Sequence, residues 1–193
     1  MPLSESEERV DVCDEQGRPT GETVGRSRAH REGIPHRTVH IWIAREKDGR
    51  YEVLLQKRSR DKDSFPGLYD TSAAGHVQAG DEPLPSAARE LAEELGITAA
   101  PEELDFAGTF HIHYEKVFHG EIFRDNEVAF VYVYRGAVDT ASLTLQAEEV
   151  ERVDWFDLQE VCRLCRPPRD PRFCVPLPGL ETLTAYLARH HSL

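Results

Sequence analysis

Residues 75–97 read GHVQAGDEPLPSAARELAEELGI, and the second half of that stretch has the period of a helix. At about 100° per residue, Leu84, Ala87, Ala88, Leu91, Ala92 and Leu95 share one arc, which predicts a helix over 84–95 with that arc on a core. Glu90, Glu93 and Glu94 fall on the opposite arc with Arg89 beside them, and Gly96 suits a left-handed C-terminal cap. An acidic helix face is ordinarily just solvated. Here, however, Glu90 and Glu94 are like charges four residues apart, an arrangement that costs about 0.2–0.5 kcal/mol. They also lie toward the helix C-terminus, where the dipole disfavours anions. Carboxylates gathered against both trends suit a hard divalent cation that takes oxygen ligands, such as Mg²⁺.

Working outward, the pattern becomes one of alternating strands and helices. Arg9 to Val12 reads as a short strand followed by a turn at 14–18, and Ser27 to Glu32 as helical turns ended by Gly33. Val39, Ile41 and Ile43 alternate with His40 and Trp42, Asp48-Gly49 marks a hairpin, and 51–56 returns as the partner strand. Residues 57–70 form a basic loop, and 71–77 a short strand of small residues. Further strands are expected at 107–117, 127–134 and 150–156, with helices at 157–165 and within 178–191. Phe110, Ile112 and Tyr114 share one face of the 107–117 strand, opposite His111 and His113, which read as exposed strand residues or pocket lining. Phe130, Tyr132 and Tyr134 read as core. The order predicts a single α/β domain over 1–193 with a mixed sheet, residues 1–35 forming an N-terminal strand-and-hairpin extension.

The chain has 193 residues, 23 Lys plus Arg and 35 Asp plus Glu, for a formal charge of −12. That balance argues against nucleic acid, whose binders carry a basic footprint. The basic run from Arg166 to Arg172 reads as a surface loop. No apolar stretch approaches the roughly 20 residues that span a bilayer, and MPLSESEERV lacks the basic and apolar regions of a signal peptide. Four cysteines, at 13, 162, 165 and 174, do not form a disulfide scaffold, so a reducing, cytoplasmic location is expected. Cys162-x-x-Cys165 with Cys174 lacks an evident fourth zinc ligand.

Gly75, Arg89, Glu90, Leu91, Glu93, Glu94, Gly96 and Ile97 stand in the register G-x5-E-x7-R-E-U-x-E-E-x-G-U, where U is a bulky aliphatic residue. The segment resembles the Nudix box at eight of nine fixed positions, Asp81 standing in place of the early Glu. The resemblance extends over nearly the whole chain. It implies a Nudix-like α/β/α sandwich and a Mg²⁺- or Mn²⁺-dependent attack of water on the diphosphate bond of a small molecule. By carry-over, Glu90, Glu93 and Glu94 with the Gly75 carbonyl would bind the cations. Arg89 would orient a glutamate and serve catalysis with Glu93 and Glu94, and the general base would be one of the helix glutamates or a residue of a later loop.

A finer resemblance is to isopentenyl-diphosphate isomerase and its relatives within that superfamily. It is carried by DEQGRPTGE, REGIPH, LLQKRSRDKDSFPGLYD, SAAGHVQAGD and DNEV. The matching positions of that enzyme's metal site are His30, His36, His76, Asp125 and Glu127, with His30 and His36 one residue closer than in the isomerase pattern. This donor set implies a second, transition-metal site. Arg58 and Lys62 match diphosphate contacts, and Lys57 is a further candidate from the same loop. Ala74 stands where the isomerase has its catalytic cysteine, and the glutamates of the box are all kept, so hydrolysis is expected over isomerisation. Isomerase-type activity and a non-catalytic diphosphate sensor are the alternatives, and many relatives of this kind are homodimers.

Overall fold

The computed structural model describes residues 7–190. In chain order the elements are β1 (Arg9–Cys13), β2 (Pro19–Gly25), α1 (Arg26–Glu32), β3 (His36–Lys47), β4 (Arg50–Arg58), β5 (Tyr69–Asp70), β6 (Ala73–His76), α2 (Pro83–Leu95), β7 (Leu104–Phe118), β8 (Glu121–Tyr134), β9 (Val150–Asp157), α3 (Leu158–Leu164) and α4 (Leu177–His190). The expectations for residues 1–6 and 191 lie outside the described residues.

β3 organises the sheet. It runs parallel to β8, from His36 opposite Glu127 to Ile43 opposite Tyr134, and antiparallel to β6, with Thr38 opposite His76. Its far end, Ala44–Lys47, turns through Asp48-Gly49 into β4, which pairs with β5 and β9. Both turn residues have positive φ, 51° and 73°, which is the backbone a tight hairpin needs. The β1–β2 hairpin joins through Val12 opposite His36.

Strand alternation explains the two cores. Val39, Ile41 and Ile43 pack with Ala87, Leu91 and Leu95 of α2. Trp42, pointing the other way, joins Val53, Leu55, Val131 and Val133 against Leu158 and Val161 of α3 and Leu180 and Leu183 of α4. The sheet is therefore mixed and lies between α2 on one face and α3 with α4 on the other, the expected α/β/α arrangement. Among the described residues no helix is long and apolar enough to cross a membrane.

Three details differ from expectation. β8 begins at Glu121, not 127, because Arg124, Asp125 and Asn126 pair with Glu115, Tyr114 and His113 across a hairpin that turns at His119-Gly120. Polar residues hide that strand from propensity, but pairing with β7 decides it. Ala92 is exposed, whereas Glu90 and Glu94 on the supposedly outer arc are buried. Phe130 is half-buried, although Tyr132 and Tyr134 are core.

Candidate functional site

α2 is held to β6 by its own charged face. Leu91 and Leu95 are fully buried, and that packing turns Glu90 and Glu94 toward the strand beside them. The Arg89 guanidinium reaches three groups: Glu90 at 2.9 Å, Glu93 at 3.0 Å and the His76 carbonyl at 3.0 Å. Glu94 accepts from Gln56 Nε2 at 3.0 Å and from the Ala74 backbone N–H at 3.1 Å. Glu93 is exposed. Gly75 touches Glu90 so closely that a Cβ there would overlap the carboxylate. Burial pushes Glu90 up to about 7 despite Arg89, and pushes Glu94 up to about 8, with the Glu90 charge adding to it. Two carboxylates in that position have lost water and have only partial compensation, which a hard divalent cation would complete.

A second cluster lies against the first. α1 brings His30, the start of β3 brings His36, the end of β6 brings His76, and β8 brings Asp125 and Glu127. The parallel register sets His36 opposite Glu127, and the two-residue period puts Asp125 and Glu127 on one face. Glu127 Oε1 lies 3.9, 3.6 and 3.8 Å from the Nε2 atoms of His30, His36 and His76, and His30 Nε2 lies 3.6 Å from Asp125 Oδ1. One donor atom from each of the three histidines and Glu127 falls within 4.8 Å of the others. These gaps are too long for hydrogen bonds. They suit donors bound about 2.0–2.2 Å from a common first-row cation, which stand roughly 3–4 Å apart. His36 Nε2, His76 Nε2 and Asp125 Oδ1 are all buried without a hydrogen-bond partner. Mixed imidazole and carboxylate donors fit Zn²⁺, Mn²⁺ or Fe²⁺.

The electrostatics follow from this crowding. Burial, then the Glu127 charge, pushes Asp125 up to about 9. Burial also works to raise Glu127, but the facing His30, His36 and His76 rings overcome it and hold its carboxyl well below the usual carboxylate range. Burial drives His76 well below the ordinary imidazole value, which favours its neutral, metal-ligating form.

Both clusters open on one cavity of about 690 Å³. Arg58 and Lys62 line it, but neither is free. Arg58 donates to the Ser64 carbonyl at 3.0 Å and to Asp70 at 3.1 Å, while Lys62 pairs with Glu149. Lys57 does not line it. On alternating β4 it points away from Gln56 and Arg58 and pairs with Glu151 at 2.9 Å. His111 and His113 are exposed and line the cavity.

Three contributors were not evident from sequence. Gln56 holds Glu94, and the Thr38 hydroxyl donates to Glu127 at 3.0 Å. Arg169, from the loop read as mere surface, lines the cavity and has no ion-pair partner among the described residues. For Gln56 and Thr38 a usable signal existed, since each lies in a strand beside a site residue. Arg169 offered none. Cys162, Cys165 and Cys174 are free thiols outside the metal-ligand cluster.

Comparison with known proteins yields a consistent pattern. A NUDIX domain matches residues 34–173. Nudix hydrolase 3 of Arabidopsis thaliana is 41% identical over 157 residues, 80% of this chain but 20% of that protein, so the chain spans a fifth of that relative's length. An uncharacterised Nudix hydrolase of Clostridium acetobutylicum is 34% identical over 157 residues, covering 81% of this chain and 73% of that one. Among solved structures, DR0079 from Deinococcus radiodurans superposes with a TM-score of 0.66 over 93% of this chain and 99% of that one. At 18% identity, that last match is a likeness of fold.

Proposed function

This chain belongs to the NUDIX domain family, whose hydrolases generally cleave pyrophosphate bonds, and we propose that it is a divalent-cation-dependent diphosphatase acting on a nucleoside diphosphate derivative or related organic diphosphate. The observation that carries the reading is the pair of buried carboxylates, Glu90 and Glu94, held on the cavity wall beside Gly75 and clamped from one side by Arg89. Glu90, Glu93, Glu94 and the Gly75 carbonyl are the groups that would hold Mg²⁺ or Mn²⁺. Bound there, the cations supply neutralisation of the diphosphate charge and acidification of the attacking water. Arg89 fixes the Glu90 and Glu93 rotamers and ties the helix to the His76 carbonyl. A carboxylate of α2 or of a later loop would take the water proton. Arg58, with its fork spent on Ser64 and Asp70, shapes the loop that places Lys62, paired with Glu149, on the wall of the cavity that would take the phosphates. Lys57 is left out of the substrate set because it faces away from the cavity.

Within the family we place the chain in the isopentenyl-diphosphate isomerase-like branch, as a hydrolase. His30, His36, His76, Asp125 and Glu127 would hold a second, transition metal, and the orphaned buried donor atoms support that assignment. Ala74 has no thiol to protonate carbon, and its backbone N–H is spent on Glu94. Four free cysteines suit a reducing, cytoplasmic setting. The test is release of phosphate or phosphomonoester from a panel of nucleoside, sugar and prenyl diphosphates with Mg²⁺ and with Mn²⁺. Turnover by wild type and its loss in folded Glu93→Gln and Glu94→Gln variants are expected. Wild-type rates in both variants would overturn the site assignment.

A further inference from the structure

Among the described residues, the lysines and arginines that line the cavity are Arg26, Arg58, Lys62, Arg89, Lys116 and Arg169. Carboxylates already neutralise most of them. Arg26 lies 3.7 Å from Glu8 and 3.8 Å from Asp63, Arg58 holds Asp70, Lys62 holds Glu149, and Arg89 holds Glu90 and Glu93. The Lys116 ammonium sits 4.6 Å from the centre of the Phe65 ring. Arg169 is exposed and, among the described residues, has neither a hydrogen bond nor an ion pair. Its loop keeps it so. Asp170, the carboxylate beside it in sequence, is taken by Arg172, whose Nε and Nη2 lie 3.0 and 2.9 Å from it. The same loop is pinned on both sides of Arg169. The Asp170 N–H donates to the Leu164 carbonyl at 2.9 Å, the Tyr69 N–H of β5 donates to the Arg172 carbonyl at 2.8 Å, and the Cys174 N–H donates back to the Tyr69 carbonyl at 2.9 Å. Cys174 lines the same cavity, and the Arg169 charge opposes the burial that pushes that thiol up.

We propose that Arg169 is a substrate-binding residue whose free guanidinium, held on the cavity wall by the 166–172 loop, takes a phosphate group of the diphosphate substrate. The inference rests on the diphosphatase reading of this cavity. A diphosphate entering it meets the buried carboxylates Glu90, Glu94, Asp125 and Glu127. Cations bound on α2 offset part of that repulsion, whereas a side chain already held by a carboxylate has little attraction left to give. An uncommitted guanidinium retains its full charge, and its planar fork matches two phosphate oxygens at once. Arg169 grips the substrate without reaching the reacting bond, so its contribution is to affinity rather than to the chemical step.

Calorimetric titration of the full chain with methylenediphosphonate, whose P–C–P bridge water cannot cleave, tests this in the presence of Mg²⁺. Arg169→Ala is expected to weaken binding about 10-fold, and Arg169→Lys, which keeps the charge without the fork, to recover part of the loss. Lys57→Ala removes a positive charge that faces away from the cavity and is expected to bind as wild type does, which separates contact from the overall field of the protein. With any diphosphate that is turned over, Arg169→Ala should raise KM by the same factor while kcat holds. Equal affinity in Arg169→Ala and wild type would overturn the role of Arg169, and so would an equal loss in Lys57→Ala. A wild-type protein that binds no methylenediphosphonate with Mg²⁺ would instead overturn the diphosphate reading beneath it.

Discussion

Glu94 shows how much a single side chain depends on partners far away in sequence. It is 4% exposed, and Oε2 accepts from Gln56 in β4 and from the Ala74 amide in β6. Without those donors a buried carboxylate would rotate or stay protonated, and either change spoils a cation ligand. Gln56→Leu is therefore expected to lower Mg²⁺-supported kcat/KM by about 10–100-fold while the fold survives, since outer partners of ligands act on that scale. A Mg²⁺ titration of the hydrolysis rate checks it: the apparent Mg²⁺ constant should rise, and an unchanged constant would remove Gln56 from the site. Sequence could name Glu94 and set Gln56 in a strand beside Arg58, but it could not pair the two. The motif is local, whereas the Gln56 contact spans 38 residues.

At the scale of elements, the decisive junction is α2 against β6. The helix was legible because its apolar residues repeat at the right period, and Gly96 closes it with φ 70° in the left-handed region. Which arc would be solvated was not legible. A helical wheel gives angles but not neighbours, and β6 covers the glutamate side. Gly75 permits that approach by having no side chain. Gly75→Ala is expected to push Glu90 off the strand, destabilising the fold by about 1–3 kcal/mol as overpacking does, with activity reduced more than stability. Urea unfolding and kcat measured on the same preparation check the two halves. Full activity in the variant would mean that Glu90 tolerates displacement.

Across the whole molecule, a net charge of −12 is partly concentrated at one cavity where Glu90, Glu94, Asp125 and Glu127 are all buried. Such a protein should be stabilised by the cations it binds. At about 100 times Kd a single-site ligand adds about 2.7 kcal/mol. For a chain of this size that corresponds to a rise of roughly 5–10 °C in Tm, at about 2–4 °C per kcal/mol. A thermal scan with Mg²⁺ or Mn²⁺ against chelator should show the rise, and a Glu90→Gln, Glu94→Gln double variant should lose most of it. Equal shifts in the two proteins would place the bound cation elsewhere.

By itself the sequence determined the helix of residues 84–95, the hairpin at Asp48-Gly49, the alternating strand at Val39 to Ile43 and the identity of nearly every candidate ligand. The three elements are written in spacing along short segments, where backbone periodicity is the controlling physics, whereas the ligands were named by resemblance to the Nudix box and to the isomerase. Only the tertiary structure decided that Glu90 and Glu94 are buried, that Lys57 turns away from the cavity, and that His30, His36, His76 and Glu127 converge. Those outcomes depend on parallel pairing of β3 with β8, which sets His36 opposite a residue 91 positions later, and on which strand lies beside α2. Long-range register is a choice among competing pairings settled by burial of the whole core, and no local window contains it.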